Sequence, residues 1–213
     1  MIEYRPMNEK PHLIIIPIAH ALADSGSLGD KISSGEQYEA RALQFWAEVS
    51  RFLDTLPLDL FPGLQVYQDS LINGPEEIVN KVVEETQTPN FEILRRLKGK
   101  GATIIGTESG GLLIEEIQGL QAIADCQDEV SRNAARLAYF KKSFWLLDER
   151  DRYIAGRIIE TLPRGGTGLL FIGSEHDVES HLGKEIQLST PELITRALAE
   201  TLQNPYSVIR ERE

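Results

Sequence analysis

The sequence is poor in cysteine and in basic residues. Cys126 is the sole cysteine among 213 residues, so no internal disulfide can form, and its acidic neighbours disfavour a reactive thiolate. The 22 lysines and arginines are outnumbered by 33 aspartates and glutamates, which gives a net charge of -11. This shortage of positive charge argues against nucleic-acid binding, which needs clustered Lys and Arg, and against attraction to an anionic membrane.

Long apolar runs are also missing. The longest run, residues 13–19, has about seven residues, whereas a membrane-spanning helix needs roughly 20. The first residues do not combine a basic segment with an apolar stretch, so no secretory signal is predicted. We therefore expect a cytoplasmic protein without a membrane partner. A hydrophobic fraction of 41% and a charged fraction of 26% are ordinary for a globular chain.

Short apolar runs alternate with helical patterns along the chain. Strands are predicted at residues 12–20, 64–69, 102–107, 168–172 and, more weakly, 185–188. Helices are predicted at residues 35–53, 75–85, 91–98, 147–162 and 191–203, with two or three more within 112–144. Continuous apolar runs are typical of parallel strands buried on both faces. We predict one α/β domain over residues 1–213, with a mainly parallel sheet flanked by helices and a helical insertion at 112–146 near the carboxyl ends of the strands.

Polar residues follow three of these predicted strands. His20 follows the first strand, Glu108 the third and His176 the fourth. In open α/β sheets the ligand site lies at the carboxyl ends of the strands. One histidine alone is more often a hydrogen-bonded residue near the core, but two at equivalent strand ends with a carboxylate on a third favour a shared site. Imidazole and carboxylate groups suit both metal ligation and acid–base catalysis.

The helix predicted at residues 147–162 adds a carboxylate to this set. Its predicted buried stripe consists of Ala155, Ile158, Ile159 and Leu162. Asp151 lies on that stripe one turn earlier, so its carboxylate needs a partner or a site. We expect it near the helix N-terminus, where the helix dipole favours an anion. The alternative is an acid that only complements the dipole, with Arg150 and Arg152 solvated or paired on the helix surface.

Weaker candidates lie around the same edge. Tyr67 and Asp69 end the second strand, although Asp is also common where a strand enters a turn. Asp24 lies in a long Gly/Ser-rich loop after the first strand, and such loops are often functional. His12 and His181 are expected to be structural, with His181 as an alternative candidate for a further ligand. No dinucleotide fingerprint, P-loop or nucleophile-elbow motif is present.

Two segments carry a family resemblance. The segment around Glu149, Arg150 and Asp151 resembles the Glu-Arg-Asn/Asp helix motif of the TraB/Tiki proteins, and residues 173–176 resemble their second Gly-x-x-His motif. Residues 17–20 match the first Gly-x-x-His motif only in part, because the glycine is absent. The resemblance covers about 70 residues, mostly 146–182, and points to a prokaryotic branch of the family. The wider superfamily includes erythromycin-esterase-like and ChaN-like haem-binding proteins and has an α/β fold.

The resemblance implies a metal-dependent hydrolase of peptide, amide or ester bonds. Tiki-type members are described as metal-dependent proteases, so a divalent ion such as Mn²⁺, Co²⁺ or Zn²⁺ is the implied cofactor. The expected metal ligands are His20, Glu108 and His176. The expected catalytic residues are Glu108, Arg150, Asp151 and Glu175, with Asp151 or Glu175 as general base and Arg150 stabilising the oxyanion. The expected substrate-binding residues are Asp24, Tyr67, Asp69 and Arg152.

Three alternatives stay open. In the first alternative, a histidine acts directly as the base without a metal, as in an esterase. In the second, the protein binds a small ligand without turnover, for example haem with a histidine or Tyr67 as axial ligand. In the third, the polar residues only cap the sheet, in a structural or regulatory protein.

The expected partner is a small-molecule or peptide substrate, and the helices within residues 112–144 provide a surface for a second subunit of a homo-oligomer.

Overall fold

The computed structural model describes residues 10–18 and 36–202, with side chains described from residue 40 in the second range. The strands in these ranges are β1 (His12–Ile18), β2 (Gln65–Ile72), β3 (Thr103–Glu108), β4 (Thr167–Gly173) and β5 (Gln187–Ser189). The helices are α1 (Glu36–Asp54), α2 (Glu76–Glu85), α3 (Pro89–Gly99), α4 (Gly110–Ala124), α5 (Glu129–Thr161) and α6 (Glu192–Leu202). Each helix in the described ranges is too short or too polar for a membrane crossing.

The strands form one parallel sheet in the order β3-β2-β4-β1-β5. This confirms the predicted α/β fold. Because all five strands run in the same direction, their carboxyl ends lie along one edge of the sheet. The ends of β3, β2 and β4 are neighbours there, followed by β1, and this order brings together the residues that end these strands.

The sheet is covered on both faces, which explains its apolar strands. Val66 and Leu169 belong to a core cluster that also includes residues of α1, α3 and α6. The alternate residues Tyr67 and Leu170 belong to a second cluster with α5. Successive side chains of a strand point to opposite faces, so a strand buried on both faces needs apolar residues in succession.

Helix α5 differs from its prediction. It runs for 33 residues without a break between residues 144 and 147, and Asp128 caps its start by accepting a hydrogen bond from the backbone N of Ser131 at 2.9 Å. Asp151 therefore lies in the middle of a helix, and its expected position at a helix N-terminus was wrong. The buried stripe contains Ile154, whereas Ile159 is exposed.

Helix α4 and residues 129–145 of α5 pack against each other as a helical hairpin, which we call the arm. The ring of Tyr139 lies on Gly119, where an added Cβ would come within 2.6 Å of a ring carbon. The Tyr139 hydroxyl donates to Oε1 of Glu116 at 2.9 Å. Burial, together with the charge of Glu116, raises the pKa of Tyr139 to about 12. A glycine in α4 and a partly buried tyrosine in α5 therefore set the contact between the two helices.

Candidate functional site

Asp69 joins two strands at the carboxyl edge of the sheet. Its carboxylate is buried, and Oδ2 accepts a hydrogen bond from the backbone N of Gly173 at 2.7 Å. Oδ1 accepts from Nε2 of Gln68 at 2.8 Å. Asp69, which was expected to bind substrate, thus lies at the carboxyl edge of the sheet as predicted. It connects the end of β2 to the end of β4.

Glu108 and Arg150 form a buried ion pair beside it. Glu108 is 0% exposed, and Arg150 of α5 approaches it with Nη2 at 2.5 Å from Oε1 and Nε at 3.3 Å from Oε2. Nη1 of Arg150 donates to Glu116 of α4. One guanidinium therefore holds two carboxylates and ties the arm and α5 to the end of β3.

The charge of Arg150 is strongly stabilised by this arrangement. Burial alone would lower its pKa, but the hydrogen bonds and negative charges of Glu108 and Glu116 outweigh that effect and raise the pKa above its ordinary value. Three of its nitrogen atoms donate to carboxylates. The guanidinium therefore neutralises the buried Glu108 and the partly exposed Glu116, and this differs from the expected role of an oxyanion stabiliser facing substrate.

Asp151 and His176 form the second buried pair. Oδ1 of Asp151 lies 2.5 Å from Nδ1 of His176, and Oδ2 accepts from the backbone N of Asp177 at 2.8 Å. An ionised carboxylate accepts hydrogen bonds only, so opposite the carboxylate form of Asp151 the imidazole donates from Nδ1. In the neutral ring the lone pair is then on Nε2, which has no hydrogen-bond partner among the described residues. Asp151 thus orients the histidine and sets its tautomer.

Several residues that were not predicted as site residues complete the edge. Ser70 has φ +63°, a conformation uncommon for a residue with a Cβ, and its backbone N donates to Oε1 of Glu108 at 3.4 Å. The Asn73 side chain donates to the hydroxyl of Tyr153 at 3.0 Å. Oε1 of Gln68 is buried without a hydrogen-bond partner in the described structure. No local pattern marks these residues, because only the meeting of β2 with β3 and α5 gives them a role.

The other predicted residues lie apart or outside the described ranges. His20 and Asp24 fall outside the described residues. Glu175 is exposed beside His176. Arg152 is exposed and pairs with Asp148 at 2.5 Å and with Glu149, as the alternative interpretation of this helix expected.

Tyr67 does not lie with the site. It is 0% exposed in the core, and its hydroxyl is 3.0 Å from Oγ1 of Thr161. Thr161 lies ten residues after Asp151, about 15 Å farther along α5. Burial raises the pKa of Tyr67 to about 12, against smaller lowering effects of Thr161 and Arg157. A core position of this kind does not suit an axial haem ligand.

The expected metal ligands fit the described structure only in part. Among the described residues, no group of three or more His, Cys, Asp or Glu side chains is placed to hold a metal ion. Both carboxylate oxygens of Glu108 face Arg150, so this residue does not fit as a ligand. Nε2 of His176 does fit.

Comparisons of the chain with protein-family models, with curated proteins and with solved structures found no match. The resemblance to the TraB/Tiki family therefore stays a prediction. Asp69, Glu108, Arg150, Asp151 and His176 meet at one edge of the sheet, and these residues form the candidate site.

Proposed function

We propose that the protein is a hydrolase of ester or amide bonds in which His176 acts as the general base. The observation that carries this proposal is the Asp151–His176 pair, with 2.5 Å between Oδ1 and Nδ1 and with Nε2 left for a reactant. The same arrangement of carboxylate, imidazole and reactive nitrogen orients the base in many hydrolases.

The chemistry follows from this orientation. Nε2 of His176 takes a proton from a water molecule while the water oxygen forms a bond to the substrate carbonyl carbon. The imidazolium is stabilised by Asp151 and returns the proton to the leaving alcohol or amine as the bond to that group breaks. General acid–base catalysis of this kind contributes about 10²–10⁴-fold in rate.

The Glu108–Arg150 pair supports the Asp151–His176 pair. Arg150 precedes Asp151 on α5 and is anchored to Glu108 at the end of β3. Asp69 fixes the end of β4, from which the loop to His176 departs. Asp151 and His176 are therefore held by α5, which is bonded to the end of β3, and by the end of β4, which is bonded to Asp69 of β2. Rigid support of this kind keeps catalytic side chains in a productive geometry.

A metal-dependent version of the proposal uses Nε2 of His176 as a metal ligand in place of a general base. Nε2 of His176 and a nitrogen of His20 are the ligands left in the predicted set once Glu108 is engaged by Arg150. When bound, Mn²⁺, Co²⁺ or Zn²⁺ supplies Lewis-acid activation. Asp151 then has the same task, because a carboxylate that accepts from the second ring nitrogen orients a ligating imidazole.

The test is a hydrolysis assay with His176→Ala and a matched histidine variant. His181 also pairs with a carboxylate of α5, because its Nε2 lies 3.0 Å from Oδ1 of Asp148. Wild type, His176→Ala and His181→Ala are assayed on nitrophenyl esters and fluorogenic peptides, with and without added Mn²⁺, Co²⁺ and Zn²⁺. We expect activity that is lost in His176→Ala and retained in His181→Ala.

Elemental analysis of the same samples separates the two versions of the mechanism. About one divalent ion per chain, lost in His176→Ala, supports the metal-dependent version, and activity without a metal supports direct base catalysis. Activity that His176→Ala retains contradicts the proposal. No hydrolysis of any substrate under any metal condition also contradicts it and favours a ligand-binding protein.

A further inference from the structure

A cavity lies at the amino-terminal edge of the sheet, opposite the candidate site. Its volume is about 340 Å³, within the range of about 300–1,000 Å³ that is usual for small-molecule pockets. The segments that enter β1, β4 and β5 are bonded to one another there. The backbone N of His12 donates to the carbonyl O of Gly166 at 2.9 Å, and the backbone N of Gln187 donates to the carbonyl O of Pro11 at 2.8 Å. The cavity therefore has a frame of hydrogen-bonded backbone.

One wall of this cavity is apolar. Ile159 and Leu162 from the end of α5 line it together with Ile186, which precedes β5. Leu162 belongs to the core cluster under α5, and Ile186 packs against that cluster. Ile159 is 56% exposed. The wall thus starts in the core and opens to solvent at Ile159, as the apolar side of a small-molecule pocket does.

The opposite side of the cavity carries cations. Lys10 and Arg164 line it, and Nζ of Lys10 donates to the carbonyl O of Lys184 at 2.7 Å. Most lysines and arginines in the described ranges pair with an acid. Lys10, Arg164 and Lys184 form no ion pair with a described residue. In a chain of net charge -11, these neighbouring unpaired cations give the cavity a local potential that attracts an anion.

The charges on the lining favour a single carboxylate as that anion. The planar guanidinium of Arg164 matches a carboxylate with two parallel hydrogen bonds. The Lys10 ammonium has three donors, and the carbonyl of Lys184 uses one of them. Glu185 also lines the cavity and forms no ion pair with a described residue. Its charge repels a second negative charge on a ligand, which disfavours a doubly charged phosphate.

We propose that this cavity binds a small monocarboxylic acid with an apolar body, such as a medium-chain fatty acid. The carboxylate pairs with Arg164 and Lys10, and the hydrocarbon chain lies against the apolar wall and covers Ile159. This is a second site, separate from the candidate hydrolase site, because Ile159 lies eight residues after Asp151, about 12 Å farther along α5.

The first test is isothermal titration calorimetry with sodium octanoate, below the concentration at which it forms micelles. We expect one octanoate to bind per chain. Acetate lacks the apolar body and 1-octanol lacks the charge, so each should bind at least about tenfold more weakly.

Two variants with matched controls locate the binding. Arg164→Gln and Ile159→Asn should each weaken octanoate binding about tenfold, because one removes the charged partner and the other interrupts the apolar wall. Lys141→Gln is the control for the first, since Lys141 is also exposed and forms no ion pair with a described residue. Ile78→Asn is the control for the second, since Ile78 is 51% exposed on α2. Both controls should bind octanoate like the wild type, and circular dichroism checks that each variant is folded.

The second test measures protection of a thiol in a Cys126→Ser background. Octanoate should slow the reaction of the Ile159→Cys variant with iodoacetamide, because the bound chain covers this position. The Ile78→Cys variant should react at the same rate with and without octanoate.

Several results would overturn the proposal. They are the absence of octanoate binding, binding that acetate or 1-octanol matches, and binding that both Arg164→Gln and Ile159→Asn leave unchanged. Preferential binding of a peptide through its C-terminal carboxylate, or self-association of the wild type that Ile159→Asn abolishes, would assign the cavity to a different occupant and overturn it as well. None of these readouts depends on hydrolytic activity.

Discussion

Asp151 lies in the middle of α5 and accepts hydrogen bonds from both Nδ1 of His176 and the backbone N of Asp177. One carboxylate thus serves two donors on the loop that follows β4. This relationship fixes the imidazole and the backbone beside it as a unit. It also explains how a carboxylate is stable on the buried side of a helix, far from the helix N-terminus.

The Asp151→Asn variant tests whether Asp151 orients the imidazole of His176, as distinct from stabilising the fold. An amide offers one acceptor oxygen, so it cannot serve both donors, and the imidazole loses its fixed tautomer. For an active hydrolase we expect kcat to fall about 10²–10⁴-fold with a smaller change in KM. Steady-state kinetics measure this effect, and Asp148→Asn is the control at the neighbouring His181 pair. Equal losses in the two variants would contradict the assigned role.

Arg150→Met should destabilise the fold strongly. It leaves Glu108, which is 0% exposed, without its cation, and an uncompensated buried charge costs about 3–5 kcal/mol. Arg152→Met is the matched control two residues farther along α5, where the side chain is 54% exposed and the expected change in the free energy of unfolding is within about 1 kcal/mol. Urea denaturation measures both free energies of unfolding. Similar values for the two variants would show that the buried pair is not what holds α5 to β3.

Gly106→Ala should disturb the site edge through the backbone. A Cβ at this position would lie 2.4 Å from the carbonyl O of Ile72 and 2.8 Å from Cα of Asn73, so β2 and β3 would have to separate. We expect a loss of about 2–3 kcal/mol in stability. Gly156→Ala is the control, since its Cβ meets nothing within 4 Å in a helix, and it should stabilise by about 0.5–1 kcal/mol. Thermal unfolding of the two variants measures the difference.

Tyr67 makes stability depend on pH in the alkaline range. Its pKa is about 12 in the fold and near 10 in the unfolded chain, so the unfolded chain loses this proton first as the pH rises. The contribution of Tyr67 is therefore complete below pH 10 and is lost between pH 10 and 12, by about 2 kcal/mol. Tyr67→Phe should show a shallower decline of unfolding free energy over that interval. An unchanged slope would contradict the assignment of this effect to Tyr67.

The strands could be predicted from the sequence because their information is local. Runs such as residues 12–18 and 167–173 are apolar on successive residues, and only strands buried on both faces require that pattern. Because the strands of a parallel sheet end at the same edge, Glu108 at the end of β3 could be placed near Gly173 at the end of β4. That part of the candidate site could therefore be predicted from the strand order and direction. The break predicted before residue 147 failed because helix continuity depends on backbone hydrogen bonding, which apolar periodicity does not report.

The sequence by itself determined the strand pattern and the two chemical types at the sheet edge, imidazole and carboxylate. Only the tertiary structure decided which groups pair. Glu108 faces Arg150, which removes it from the expected metal ligands, and Asp151 faces His176, which gives the imidazole its orientation. The physical reason is that a buried charge must find its partner across elements that are distant in the chain, and distances of 42 and 25 residues leave no local pattern.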